Sequence, residues 1–237
     1  MGPGHDPDAL HAAVETGDLD QIRSLVESGA ETDARDLMDQ NETPAHVCAR
    51  MGNVEALEIL LAHGAHVAPR DGRSVTPLLV AAANGHAEVV ETLLRYGANP
   101  DQSGPLGFRG LHAAIFCGHA RSVNLLLEAG ADVEKRLSGL IKPLHLAVWS
   151  GRVEIVRMLL DRGANPRSRL LFITPERLAK AQGSPRIADL LRTRSHRGGR
   201  VDSAPPGRHG GAPRRSNAAP RGGVKRIRLR RGPVGSP

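Results

Sequence analysis

A Gly-Ala pair returns five times along the chain, at Gly29-Ala30, Gly64-Ala65, Gly97-Ala98, Gly130-Ala131 and Gly163-Ala164, at spacings of 35, 33, 33 and 33 residues. A fixed period of this length restricts the fold to an array of small, similar units. Two further series interlock with it. A lone glycine recurs at Gly17, Gly52, Gly85, Gly118, Gly151 and Gly183. A Thr-Pro or its equivalent opens successive units at Thr43-Pro44, Thr76-Pro77, Lys142-Pro143 and Thr174-Pro175, with Arg109-Gly110 in the corresponding slot. Three series in one rhythm do not arise by chance.

Each unit has a physical reading. Proline suits the first turn of a helix, where its missing N–H is not needed. The segment from Thr76 to Gly85 therefore predicts a short helix that starts at Pro77 and stops at the glycine. Small alanines along it permit close approach of a neighbouring helix. A second helix over His86–Tyr96 carries Val89, Val90, Leu93 and Leu94 at helical spacing, and Gly97 supplies the positive φ of its C-cap. The Asp, Asn, Gly and Pro beyond it turn the chain back as a loop or hairpin. One helix pair cannot bury both of its faces, so the units must stack.

The pattern resembles the ankyrin repeat. Leu111-His112-Ala113-Ala114, Pro143-Leu144-His145-Leu146-Ala147 and the run Leu125–Val133 stand close to that family's consensus. The resemblance implies an all-α solenoid of about five repeats with a C-terminal capping half-repeat, followed by a disordered basic tail. The expected divisions are a disordered N-terminus over 1–7, repeats over 8–42, 43–75, 76–108, 109–141 and 142–173, a cap over 174–192, and the tail over 193–237.

Charge sharpens the division. The net +7 of the whole chain hides twelve Lys or Arg against the single acid Asp202 from residue 193 onward, whereas residues 1–192 are mildly acidic. The tail is poor in apolar residues, as disordered segments are. It holds Arg197-Gly198-Gly199, Arg221-Gly222-Gly223 and the cluster Lys225, Arg226, Arg228, Arg230 and Arg231, which resembles a nuclear localisation signal. The same charges could hold nucleic acid weakly and non-specifically through phosphates. Two cysteines, Cys48 and Cys117, make no disulfide framework, which points to a reducing compartment. No apolar run approaches the roughly 20 residues that span a bilayer, and the opening MGPGHDPDAL lacks the regions of a signal peptide. The expectation is an intracellular protein, cytoplasmic, nuclear or both, without membrane attachment and monomeric.

Chemistry finds little purchase. His11, His46, His112 and His145 share one column, but stacked helices lie about 10 Å apart, too far to converge on one ion. Each is read as bonding the backbone of the neighbouring loop. Cys117 and His112 lie on different faces of one helix, and no phosphate-binding, nucleophile-elbow or kinase signature occurs. The expectation is no catalytic residue, metal, cofactor or small-molecule substrate.

The resemblance instead implies a concave groove for a protein ligand, lined by hairpin tips and by the two residues before each mid-unit glycine. Those columns contain Arg50, Met51, Asn84, Phe116 and Trp149. Tyr96 stands at a second-helix exit, and Leu106, Phe108 and Ile141 stand on the hairpins. These nine are the candidate partner-binding residues. All five aromatic residues fall in such variable columns, and large exposed apolar groups mark interfaces. The functional expectation is a non-enzymatic adaptor or scaffold for a still unidentified protein, with the tail localising it. The alternatives are a nuclear, nucleic-acid-associated regulator and a substrate receptor of a ubiquitin ligase.

Overall fold

The protein was described from a computed structural model that covers residues 7–36 and 40–197. Six helix pairs succeed one another: α1 (Pro7–Thr16) with α2 (Leu19–Glu27), α3 (Pro44–Met51) with α4 (Val54–Ala62), and α5 (Pro77–Asn84) with α6 (Ala87–Arg95). Then come α7 (Gly110–Cys117) with α8 (Ala120–Glu128), α9 (Pro143–Trp149) with α10 (Val153–Asp161), and α11 (Pro175–Ala181) with α12 (Pro185–Arg197). The odd-numbered helices stack on one another as one layer and the even-numbered helices as a second. Among the described residues there is no strand beyond the isolated bridges Leu137–Ile141 and Leu170–Ile173.

Local chemistry sets the helix starts. Pro44, Pro77, Pro143 and Pro175 occupy the first turn of α3, α5, α9 and α11. Thr76 and Thr174 accept from the backbone N–H of Leu79 and Arg177 at 3.4 and 3.3 Å. Between the layers lies a continuous core of aliphatic side chains. Leu60, Leu93, Leu126 and Leu159 recur in it at the repeat spacing, all fully buried. On the odd-numbered helices a column of small residues, Ala13, Cys48, Ala81, Ala114, Ala147 and Ala179, is equally buried. Small side chains there let one helix approach the next. Cys48 acts as one of these alanines, and burial pushes its thiol up to about 12.

Polar ladders tie unit to unit at the loops. Asp33 accepts from the His66 N–H at 3.0 Å, Asp101 from Asp132 at 3.2 Å and Glu134 from Asn165 at 2.9 Å. The Arg35 guanidinium donates to the Arg70 carbonyl at 2.8 Å, and that of Arg70 to the Ser103 carbonyl at 2.9 Å. Ser103 cannot extend this ladder. Arg109, from the slot that elsewhere holds threonine, reaches the Arg136 carbonyl at 3.3 Å in its place. At the outer ends of the even-numbered layer, Arg95 pairs with Glu58, Arg121 with Glu88 and Arg194 with Asp161. These exposed pairs contribute little energy individually.

The histidine column splits by neighbour. His11, His46 and His112 place Nε2 3.1, 3.1 and 3.0 Å from the carbonyls of Glu42, Val75 and Lys135 in the next loop. His46 Nδ1 also accepts from the Thr43 N–H at 3.2 Å. Where Arg109 and Lys142 replace that threonine, Nδ1 of His112 and of His145 has no partner, and His145 Nε2 has none either. The expected loop bond is therefore not formed at His145, although backbone groups of Ser168 and Ile173 lie near enough to its ring to favour the protonated form.

The compositional boundary at Arg192 is corrected, because α12 runs to Arg197. Arg194 is paired across to Asp161, and the Ser195 carbonyl accepts from the Arg167 guanidinium at 2.5 Å. Those bonds hold the extra turn. The capping unit is thus a full helix pair. Residues 1–6 and 198–237, with the cluster Lys225, Arg226, Arg228, Arg230 and Arg231, lie outside the described residues. No helix among the described residues is long and apolar enough to cross a membrane.

The packing makes two glycines unequal. Gly85 closes α5 at φ +80°, and a Cβ there would lie 2.5 Å from Nδ1 of His119, whose Nε2 is held 3.1 Å from the Ala83 carbonyl. Gly64 has φ +90° with nothing within 4 Å. Gly64→Ala is expected to cost about 1 kcal/mol of backbone strain alone. Gly85→Ala should cost roughly 2–3 kcal/mol in urea unfolding, because a close contact must also shift. Equal costs would contradict the close approach.

Burial holds the pKa of His46, His112 and His145 below the ordinary imidazole range. The unfolded chain therefore binds more protons than the folded one just below pH 6.5. Their contribution is complete above that pH and is lost as pH falls through the depressed folded-state values. The melting temperature should drop between pH 7.5 and 5.0, and His112→Gln should flatten part of that slope. An unchanged slope in the variant would show that His112 binds protons equally in the folded and unfolded chain, against the depressed value.

Candidate partner-binding surface

The expected surface residues divide among three parts of the solenoid. Phe116 and Trp149 close α7 and α9, neighbouring helices of the odd-numbered layer, and are 63% and 61% exposed. Their position is dictated by the helices ending there, since the nearby Gly118 and Gly151 take positive φ and turn the chain toward α8 and α10. Among the described residues the close aromatic pair is Phe108 with His112, with centroids 6.1 Å apart. Phe116 and Trp149 therefore do not consume each other's faces by stacking.

Towards the N-terminal end the same column becomes polar and self-satisfied. Arg50 lies 3.7 Å from Glu15 and 3.5 Å from the buried carboxylate of Glu42, which Arg73 also approaches at 3.6 Å. Arg73 in turn reaches Asp71 at 3.2 Å, and Asp71 also accepts from the Val75 N–H at 2.7 Å. This network stitches the first two units. Arg50 thus spends its charge inside the protein. Asn84 likewise turns back to donate to the Val80 carbonyl at 2.9 Å. Met51 is exposed beside them.

The second part is the hairpin edge. Phe108 and Ile141 are half-buried and pack against the core, so not every aromatic residue lies free on the surface as the repeat columns imply. Phe108 turns inward against the His112 ring and the aliphatic core. Leu106 behaves oppositely: it stands 83% exposed at φ +53°. Leu171 repeats this at φ +55° on the last hairpin, next to Phe172, which is 86% exposed. A left-handed leucine costs roughly 1–2 kcal/mol. The strain recovers no burial at either position.

Beside Leu106 lies an open apolar cleft of about 390 Å³, walled by Leu79, Pro105, Leu106, Phe108 and Leu137. Leu79 projects from α5 and the others from two successive hairpins. Leu79, Pro105 and Leu137 carry no signal within a single repeat column, because the cleft exists only where neighbouring units meet. Gly107, which also has positive φ, was the local hint that this turn is unusual.

Tyr96 belongs to a third part. It ends α6 in the even-numbered layer, with the Arg95 guanidinium 5.8 Å from its ring centroid. The structure thus brings together Leu106 and Phe108 in one cleft, sets Phe116 and Trp149 on adjacent helix ends, and leaves Tyr96 on the other layer. Among the described residues no group of three or more His, Cys, Asp or Glu is placed to hold a metal ion.

Comparison with known proteins agrees with the architecture. No curated protein matches the chain in sequence. The family model for ankyrin repeats (3 copies) matches residues 3–71, 69–137 and 110–169. With six stacked helix pairs among the described residues, the glycine-closed turns and a family match over most of its length, the chain belongs to the ankyrin-repeat family.

Proposed function

We propose that this protein is a non-enzymatic adaptor or scaffold that captures a protein partner on the C-terminal half of its repeat array. Ankyrin repeats generally mediate protein–protein interaction, and proteins built from them are typically interaction modules without catalytic activity. The supporting observation is the exposure of Phe116 and Trp149 on neighbouring helix ends. Trp is a favoured anchor of interfaces, and aromatic rings offer large contact area at low entropic cost. Met51 and Asn84, in the adjacent column, continue this face toward a polar rim formed by Arg50 and its two glutamates. The Arg-rich segment after Arg197 serves to localise the complex, its cluster at 225–231 matching the composition of a nuclear import signal.

Both aromatic side chains are exposed, so their removal should change stability by less than about 1 kcal/mol. In affinity purification from cell extract, Phe116→Ala/Trp149→Ala is expected to lose its partner by about tenfold or more relative to wild type. Truncation after Arg197 should leave capture intact and shift the protein's distribution away from the nucleus. Undiminished capture by the double variant would place the interface elsewhere.

A further inference from the structure

We infer that the hairpin edge of the third to fifth units docks an acidic protein segment carrying a bulky apolar side chain, which seats in the cleft beside Leu106. The inference rests on the proposed interaction role and names the chemistry of the partner.

The tips of the hairpins change character along the array. Positive φ falls on Gln40, Asn41 and Ser74 in the first two, residues that are polar and at home in water. In the third and fifth it falls on Leu106 and Leu171, and in the fourth Leu140 stands exposed beside Ser138 and Gly139. A left-handed tip that faces water suits Gly or Asn. The Leu106 carbonyl accepts from the Ser138 N–H at 3.0 Å and ties the left-handed turn to the next hairpin, but the leucine side chain gains no burial from it and stays exposed for a contact outside the fold. The cleft next to it is walled almost wholly by apolar groups, which fits an aliphatic or aromatic side chain.

Charge selects the residues that flank that side chain. Over residues 101–109, 132–142 and 165–173 there are six cations, Arg109, Lys135, Arg136, Lys142, Arg167 and Arg169, against the acids Asp101, Asp132 and Glu134. Lys135 is paired with Asp132 and Lys142 with Glu134, which leaves Arg109, Arg136, Arg167 and Arg169 against Asp101. The edge therefore presents excess positive charge. It sits in a polarised array: residues 7–36 hold eight acids and two arginines, whereas residues 162–197 hold nine Lys or Arg and two acids. An acidic segment is repelled at the first unit and drawn to the later ones. The chain's own residues 198–237 carry ten Lys or Arg and one acid, so their composition lacks the negative charge this edge would select. A nucleic acid would satisfy the cations but leave the leucines and the cleft unfilled.

The test uses the full chain and short fluorescent peptides read by anisotropy. The probe is an Asp/Glu-rich peptide with one central Leu and one Phe. Its controls are the same peptide with both apolar residues changed to Ser, the same peptide with its acids changed to Lys, and a labelled oligothymidylate. The acidic apolar peptide should bind about tenfold or more tightly than either peptide control, and its affinity should fall as salt rises. Leu106→Asn should lose that advantage while its melting temperature holds or rises, since Asn accepts the left-handed backbone. Equal binding of all three peptides would overturn the inference. So would unchanged peptide binding by Leu106→Asn, or oligothymidylate binding as tightly as the peptide. Loss of partner capture on removing Phe116 and Trp149, with no peptide bound, would sink this inference and leave the interaction role standing.

Discussion

The packing of each helix pair against its successor holds everything else in place. A single pair of eight- or nine-residue helices has too little internal contact to be stable in water. Its apolar residues are covered only when a neighbour supplies the other wall, as Ala81 and Ala114 do between α5 and α7, or Val90 and Val123 within the even-numbered layer. The loop bonds depend on that stacking, because their partners lie roughly one repeat apart: Asp33 with His66, Arg70 with Ser103, His86 with the Arg50 carbonyl. Stability in such an array is close to a sum of nearest-neighbour terms.

How much of this could be read from the chain depends on where each signal originates. Pro44, Pro77 and Gly85 act on their own backbone, so helix starts and stops are visible in the sequence. The aliphatic columns show the core for the same reason, since spacing alone sets the buried face. The inward turn of Phe108 was not legible, because it depends on the His112 ring and on the core beneath it. Nor was the left-handed backbone of Leu106, for leucine carries no preference that announces it. The unpaired Nδ1 of His112 required knowing that the threonine at the helix start had been exchanged for Arg109, and that Arg109 was committed to the loop ladder. The extra turn of α12 depends on Asp161 and Arg167 of the preceding unit. Composition near residue 193 is already that of the Arg-rich tail and does not mark the helix end.

The same array shows how a uniform scaffold acquires a direction. Its first unit is acidic and its column of groove residues is locked into ion pairs around Glu42. Its later units expose Phe116, Trp149 and the leucines of the hairpin edge, among cations in excess. Long-range charge orients an approaching partner, and apolar contact retains it. The site proposed for binding is also where strain is stored, at Leu106 and Leu171, while the ladders that stabilise the fold run beside it and remain satisfied.

The most direct measurement of the central claim is hydrogen–deuterium exchange of the full chain with and without its captured partner. Binding on the C-terminal half should slow exchange over residues 104–109, 116–119, 137–142 and 149–152, while the first unit and α6 remain unchanged. Protection confined to residues 7–36, or to the outer surfaces of α4, α6 and α8, would contradict it.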